Sequence, residues 1–194
     1  MRRAAAAALL AALPLAAAAA AARAVPLAAW ARPGRVLLLR HAIAPGVGDP
    51  PGFRLADCAT QRNLDAAGRT QSRAAGAALR AALAAGAATP AAAVYTSQWC
   101  RAKDTAALLG LGPPRALPAL NSFFQNPSKG PAQMAELRKF LAALPPRGPP
   151  VVLVTHQVVV SEFSPVFPAP AGGALLELNG SGAPRLLGSV GALA

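Results

Sequence analysis

A chain of 194 residues, 54% of them hydrophobic, is long enough for one domain with its own core and short for two. Much of that apolar fraction is alanine, whose burial removes little area from water, so the core must rest on clusters of Leu, Val and Phe. The formal net charge of +12 favours anionic partners. The arginines are nevertheless scattered, with no basic helix, aromatic-basic interleaving or zinc-finger spacing, which argues against nucleic acid and for a small anionic substrate.

Residues 1–24 read as an export signal: Arg2 and Arg3, an apolar run over 4–22 broken by Pro14, then small residues around Ala22-Arg23-Ala24. The expected cleavage follows Ala24, by ordinary secretion or by a twin-arginine route. A retained anchor is disfavoured because alanine inserts weakly and Pro14 and Arg23 oppose a stable span. Removing Arg2, Arg3 and Arg23 leaves 16 basic against 7 acidic residues, a mature charge of +9. The expectation is a periplasmic or secreted protein with no stable membrane span, a flexible segment over 25–34, and one domain over 35–194.

Within that domain short β-branched or leucine runs alternate with longer alanine-rich stretches, the pattern of an α/β fold. The run 35–40 is uninterruptedly apolar between its arginines, as in a parallel strand covered on both faces, and it ends at His41. A Gly/Pro-rich loop over 45–52 follows. Asp65 stands where an N-cap belongs, ahead of a helix reaching about Ala85 and stopped by Gly86. A strand over 92–96 runs into Ser97, and 99–109 has helical composition ended by Gly110, which puts Arg101 near a helix N-terminus. Residues 115–120 suggest a third strand. Met134, Leu137, Phe140 and Leu141 make the core stripe of a helix over 131–144. The strongest strand pattern is 151–155, which stops at His156, and 174–178 and 185–187 read as two terminal edge strands.

The chain has only two histidines, and each directly follows one of these strands. Open parallel sheets gather ligands outside the carboxyl ends of their strands. Arginine forks suit the oxygens of a small anionic substrate.

The residues that carry chemistry also resemble a known pattern. Leu38-Leu39-Arg40-His41-Ala42 is similar to the Arg-His-Gly signature of the histidine phosphatase (phosphoglycerate mutase-like) superfamily. Leu64-Asp65-Ala66-Ala67-Gly68-Arg69-Thr70-Gln71 resembles its Leu-Thr-x-x-Gly-x-x-Gln segment. The stretch from Tyr95 to Ala106 resembles Ser-x-x-x-Arg-Ala-x-x-Thr-Ala, and Val154-Thr155-His156 the second histidine motif. The four fall in the family's order across about residues 35–160. The resemblance implies a three-layer sandwich: a mostly parallel central sheet with helices on both faces. It implies His41 as nucleophile through a phosphohistidine, with Arg40, Arg101 and His156 holding the phosphate. Arg62 is either a fourth phosphate ligand or a solvated surface arginine, and Asn63 and Gln157 are further substrate-binding candidates. No cofactor or metal is expected.

Three departures qualify the pattern. Ala42 stands where the family has glycine. The glutamate that protonates the leaving oxygen in many relatives has no counterpart in 120–125, and His156 is followed by Gln157 rather than aspartate. Asp49, Asp57, Asp104 and Glu162 are the carboxylates near motifs, each more readily a cap, a surface charge or a structural partner than an acid. Cys58 and Cys100, the only cysteines, suggest a disulfide in an exported chain, against two buried free thiols.

Hydrolysis is favoured over a mutase or phosphotransferase reaction, because no large insertion between the motifs could enclose a substrate. A small phosphorylated substrate is expected, and similarity to phosphatases of lipopolysaccharide-core heptose phosphates suggests a cell-envelope sugar phosphate. A non-catalytic anion-binding module on the same fold is the competing reading.

Overall fold

A computed structural model describes residues 22–86 and 92–193. The element order is β1 (Arg35–Arg40), α1 (Ala66–Ala85), β2 (Ala93–Thr96), α2 (Cys100–Leu108), β3 (Arg115–Ala116), α3 (Gly130–Ala143), β4 (Val151–Thr155), α4 (Gln157–Phe163), β5 (Gly173–Glu177) and β6 (Arg185–Val190). The strands form one sheet in the order β3-β2-β4-β1-β5-β6. The first four run parallel, and β5 pairs antiparallel with both β1 and β6.

Side chains alternate between faces along a strand, so the apolar runs of β1 and β4 feed two cores. Leu37, Leu39, Val152 and Val154 pack with Leu79 and Leu83 of α1 and Ala102 and Ala106 of α2. Val36, Leu38, Val151 and Leu153 pack on the other face with Met134, Leu137 and Leu141 of α3 and Val159 and Val160 of α4. This is the three-layer α/β sandwich expected. Asp65 caps α1 by accepting from the Gly68 N–H at 2.7 Å. A Cβ on Gly68 would lie 1.9 Å from the Ile43 carbonyl oxygen, so only glycine lets α1 close on the loop after β1.

Some elements differ from expectation. β3 holds only Arg115 and Ala116, because Pro118 has no N–H for a ladder and opens a 3-10 turn over Pro118–Leu120. β5 is interior, between β1 and β6, so β6 is the last strand on that side. α4 has no counterpart among the expected elements. Its Val158-Val159-Val160 run carries β propensity, which the burial of Val159 and Val160 overrides.

Residues 1–21, most of the expected leader, lie outside the described residues. The segment expected to be flexible, 25–34, is instead packed into the domain. It contains a 3-10 turn over Leu27–Ala29, and Trp30 is fully buried with its Nε1–H donating to the Val151 carbonyl at 3.0 Å. The backbone just before it pairs alongside β6: the Ser189 N–H donates to Arg23 O at 2.8 Å and the Val25 N–H to Ser189 O at 2.9 Å. Gly188 makes room for this, since a Cβ there would lie 2.1 Å from Arg23 O. The boundary expected after Ala24 therefore runs through a paired segment. No helix of the described residues is long and apolar enough to cross a membrane.

A chain starting at Val25 loses the Ser189 N–H bond to Arg23 and the Ser189 Oγ bond to Ala22 O at 3.1 Å. At about 1 kcal/mol for each hydrogen bond, it is expected to melt about 5 °C below a chain starting at Ala22. Thermal unfolding of the two truncations, followed by circular dichroism, measures this; coincident midpoints would show that the pairing contributes nothing.

Candidate active site

Three neighbouring parallel strands, β2, β4 and β1, end in Ser97, His156 and His41. Their ladders continue one residue further: the His41 N–H donates to Thr155 O and the Ser97 N–H to Val154 O, both at 2.9 Å. The strand ends thus bring together two imidazoles 115 positions apart in the chain, with ring centroids 5.3 Å apart. Both histidines are 3% exposed. They border a cavity of about 260 Å³ that is also lined by Arg40, Asp49, Arg62, Arg101 and Gln157.

Arg101, in the first turn of α2, is the hub. One edge of its fork faces a carboxylate: Nη1 donates to Asp49 Oδ1 at 2.8 Å and Nη2 to Asp49 Oδ2 at 3.2 Å. The other edge faces the histidines, with Nε donating to His41 Nε2 at 3.2 Å and Nη2 lying 3.5 Å from His156 Nδ1. Nη1 also donates to Arg62 O at 3.1 Å. Asp49 is fixed in turn by the Trp99 Nε1–H at 3.0 Å and the Arg62 N–H at 3.0 Å. Burial works to raise the Asp49 pKa, but these donors, Arg101 foremost, hold it below the usual aspartate value.

The partners assign the ring tautomers. His41 Nδ1 lies 2.8 Å from the Ala42 carbonyl, which can only accept, so Nδ1 carries the proton and Nε2 presents a lone pair to the cavity. His156 Nε2 lies 2.8 Å from Ser97 Oγ, whose own proton points to Asn121 Oδ1 at 3.3 Å. The His156 proton is therefore on Nε2, and Nδ1 faces Arg101. Burial, then the Arg101 charge, lowers the His41 pKa to about 3. Burial followed by His41 and Arg101 takes His156 well below its ordinary value.

Of the residues singled out from sequence, His41, Arg40, Arg101, His156, Arg62 and Gln157 meet at this cavity. Arg40 Nη1 donates to Pro168 O at 3.0 Å, while its Nε is buried without a partner. Arg62 is half-buried rather than a solvated surface arginine, and it binds the Gly48 carbonyl at 2.9 Å and the Ala44 carbonyl. Asn63 does not line the cavity; its amide donates to Cys58 O at 2.6 Å. Ala42 fills the glycine position at no backbone cost: it is buried in the core and lies outside the positive-φ residues.

Among the four candidate carboxylates only Asp49 reaches the site. Asp57 caps a 3-10 turn, Asp104 pairs with Arg69 at 3.2 Å, and Glu162 is exposed. Cys58 and Cys100 form a disulfide with a Cα–Cα distance of 5.7 Å. It ties the loop after His41 to the start of α2, one residue before Arg101. The sequence reading missed the Asp49–Arg101 pair and the Ser97–Asn121 support of His156. Ser97 lies inside a motif and could have been found by position; Asp49 sits in an aperiodic loop, where spacing gives no sign of its partner.

Three guanidinium groups, one carboxylate and two neutral imidazoles thus line one cavity at the carboxyl ends of the parallel strands, in an α/β domain of phosphoglycerate mutase-like fold. Solved structures share that fold. One is a candidate phosphohistidine phosphatase, SixA, from Nakamurella multipartitia, at TM-score 0.54 and 21% identity, covering 82% of this chain and 96% of that one. Another is the mycobacterial glucosyl-3-phosphoglycerate phosphatase, at TM-score 0.55 and 18% identity, covering 84% of this chain and 100% of that one. A third is the product of an open reading frame of Mycobacterium tuberculosis, at TM-score 0.50 and 21% identity over 78% of this chain and 94% of that one. No family model matches the chain, and no curated protein matches it.

The buried neutral histidines set a pH dependence. A group whose folded pKa is depressed stabilises fully above its unfolded value, and that stability is lost as pH falls toward the folded one. For His41 the window runs from about 6.5 down to about 3. At pH 5 the loss from His41 is roughly 2 kcal/mol relative to neutral pH. Urea unfolding at pH 7 and pH 5 is expected to show this loss in the native chain and a smaller one in His41→Gln; identical losses in the two proteins would contradict it.

Proposed function

We propose that this chain is a phosphomonoesterase that passes the phosphoryl group through Nε2 of His41. The observation that carries this reading is the orientation of His41, whose unprotonated Nε2 is aimed at the Arg101 edge shared with His156, inside a cavity also lined by Arg40 and Arg62. Three arginines less Asp49 leave two net positive charges, which match a phosphate dianion.

A monoester monoanion brings one proton, which passes to His156 Nδ1 on binding. The His41 Nε2–P bond forms as the P–O bond to the leaving group breaks. Arg40, Arg62 and Arg101 hold the three equatorial oxygens, and protonated His156 donates across the pocket as charge builds. The departing oxygen then recovers the proton carried by His156. Water attacks phosphorus, the P–N bond breaks, and dihydrogen phosphate leaves with both protons of that water. Asp49 does not donate a proton; held charged, it keeps the Arg101 fork in register.

Export to the periplasm or secretion, and a cell-envelope sugar phosphate as substrate, extend this reading. The leader-like composition of residues 1–24 supports the first. The motif resemblance supports the second, together with the mycobacterial neighbour, whose name gives glucosyl-3-phosphoglycerate as its substrate. One observation favours a second reading, a phosphate-binding module: among the described residues the one carboxyl group at the cavity, Asp49, is held charged by Arg101, and every Arg101 donor already has a partner near hydrogen-bond range. A transferase on the same site would move the phosphoryl group to an alcohol in place of water.

Steady-state assays with phenyl phosphate separate these readings. Hydrolysis that falls by at least about 10³-fold in His41→Ala is expected for the enzyme; binding of inorganic phosphate with no turnover in the intact protein would establish the module. Because the leaving oxygen receives only the proton that the substrate itself brings, relayed by His156 with no carboxylic acid behind it, aryl phosphates are expected to turn over at least tenfold faster than alkyl phosphates, and equal rates would contradict this route of the proton. Asp49→Asn is expected to lower kcat by about 10- to 100-fold through loss of Arg101 alignment, with inorganic phosphate inhibiting no more weakly. An unchanged kcat would remove Asp49 from the account.

A further inference from the structure

We propose that the leaving group of the substrate carries an apolar body, gripped at the mouth of the pocket by Val47, Phe124 and Phe167. This rests on the phosphomonoesterase reading and narrows its substrate class, setting substrates with an apolar body apart from bare sugar phosphates.

Among the described residues four large hydrophobics are exposed: Ile43 at 36%, Val47 at 86%, Phe124 at 50% and Phe167 at 78%. Scattered exposed apolar residues need no explanation, but a contiguous group around a cavity does. Three of these four line the same cavity as His41, His156 and the arginines. Each also lies beside a segment that lines the cavity or holds one of its arginines. Val47 stands between Gly46 and Gly48, whose φ angles of 86° and 69° make a turn that holds it in solvent. A Cβ on Gly48 would lie 3.8 Å from the Phe124 ring, so that turn and Phe124 are neighbours. Gly48 is also the residue whose carbonyl takes Arg62 Nε. Phe167 follows the buried Val166 and precedes Pro168, whose carbonyl holds Arg40.

Two of the polar side chains at the cavity already use a donor within the protein. Gln125 Nε2 donates to Asp49 O at 3.1 Å and Gln157 Nε2 to Ser161 Oγ at 3.0 Å. The cavity thus grades from a cationic floor to an apolar rim. A bound apolar group covers the rim's exposed area, and that gain grows with the area covered.

The test uses phenyl phosphate and its 4-methyl, 4-ethyl and 4-butyl derivatives, in which leaving-group acidity is nearly constant while apolar area grows. With the full chain, kcat/KM is expected to rise about twofold per methylene, against the roughly fourfold of complete transfer from water. In the double variant Phe124→Ser/Phe167→Ser the slope of the series is expected to vanish. If phenyl phosphate is hydrolysed but the native series is flat, the inference is overturned and the phosphatase reading stands. A rising series left unchanged in the double variant overturns the assignment to these residues. If no member is hydrolysed, the phosphatase reading fails and this inference with it.

Discussion

A guanidinium buried to 2% exposure is stable only where its charge and its five N–H groups find partners. Arg101 meets that demand in two directions. Asp49 neutralises one edge of its fork, and the lone pairs of His41 and His156 receive the other. Bidentate pairing fixes the plane of the guanidinium as well as its position, so the edge facing the imidazoles is held in one orientation toward the cavity. Arg101 and Asp49 are both buried, and removing either would leave the other charge uncompensated, at a cost of about 3–5 kcal/mol for such pairs. Any account of this site therefore treats the two residues as one unit.

The surrounding fold holds that unit in place. The sheet sets the separation of His41 and His156, because β1 and β4 are paired neighbours in register. α2 delivers Arg101, and its first turn is anchored twice: by the disulfide from Cys100 to Cys58, and by Gln61 Oε1, which accepts the Cys100 N–H at 3.0 Å. In the chain-entropy model, closing a loop of that length contributes roughly 4 kcal/mol. The loop carrying Asp49 and Arg62 is thereby tied to the helix carrying Arg101. Thr105 adds a further link, accepting the Ala42 N–H at 3.1 Å and donating to Arg101 O at 2.7 Å.

The parts of this arrangement that obey a local rule were legible in the sequence. Apolar runs covered on both faces gave β1 and β4, and the histidines directly after them gave the strand ends where ligands gather. Asp65 announced its helix by the chemistry of an N-cap. What depends on the path of an aperiodic loop was not legible. Asp49 lies 52 positions before the arginine it pairs with, and no period links the two. The rim formed by Val47, Phe124 and Phe167 was hidden for the same reason. β5 read as an edge because its position depends on β6 pairing beyond it, a long-range fact. Residues 25–34 read as loose because Pro and Ala gave no periodicity, while the burial of Trp30 against Val151 depends on a contact 121 positions away.

The claim on which the mechanism turns is that Nε2 of His41 takes the phosphoryl group. Rapid quench of the protein with a ³²P-labelled aryl phosphate, followed by peptide mapping, tests it directly. The account predicts an acid-labile, base-stable phosphoryl group on the peptide containing His41, formed and lost within turnover and missing in His41→Ala. Label on His156 instead, or steady turnover with no labelled protein at any time point, would contradict it.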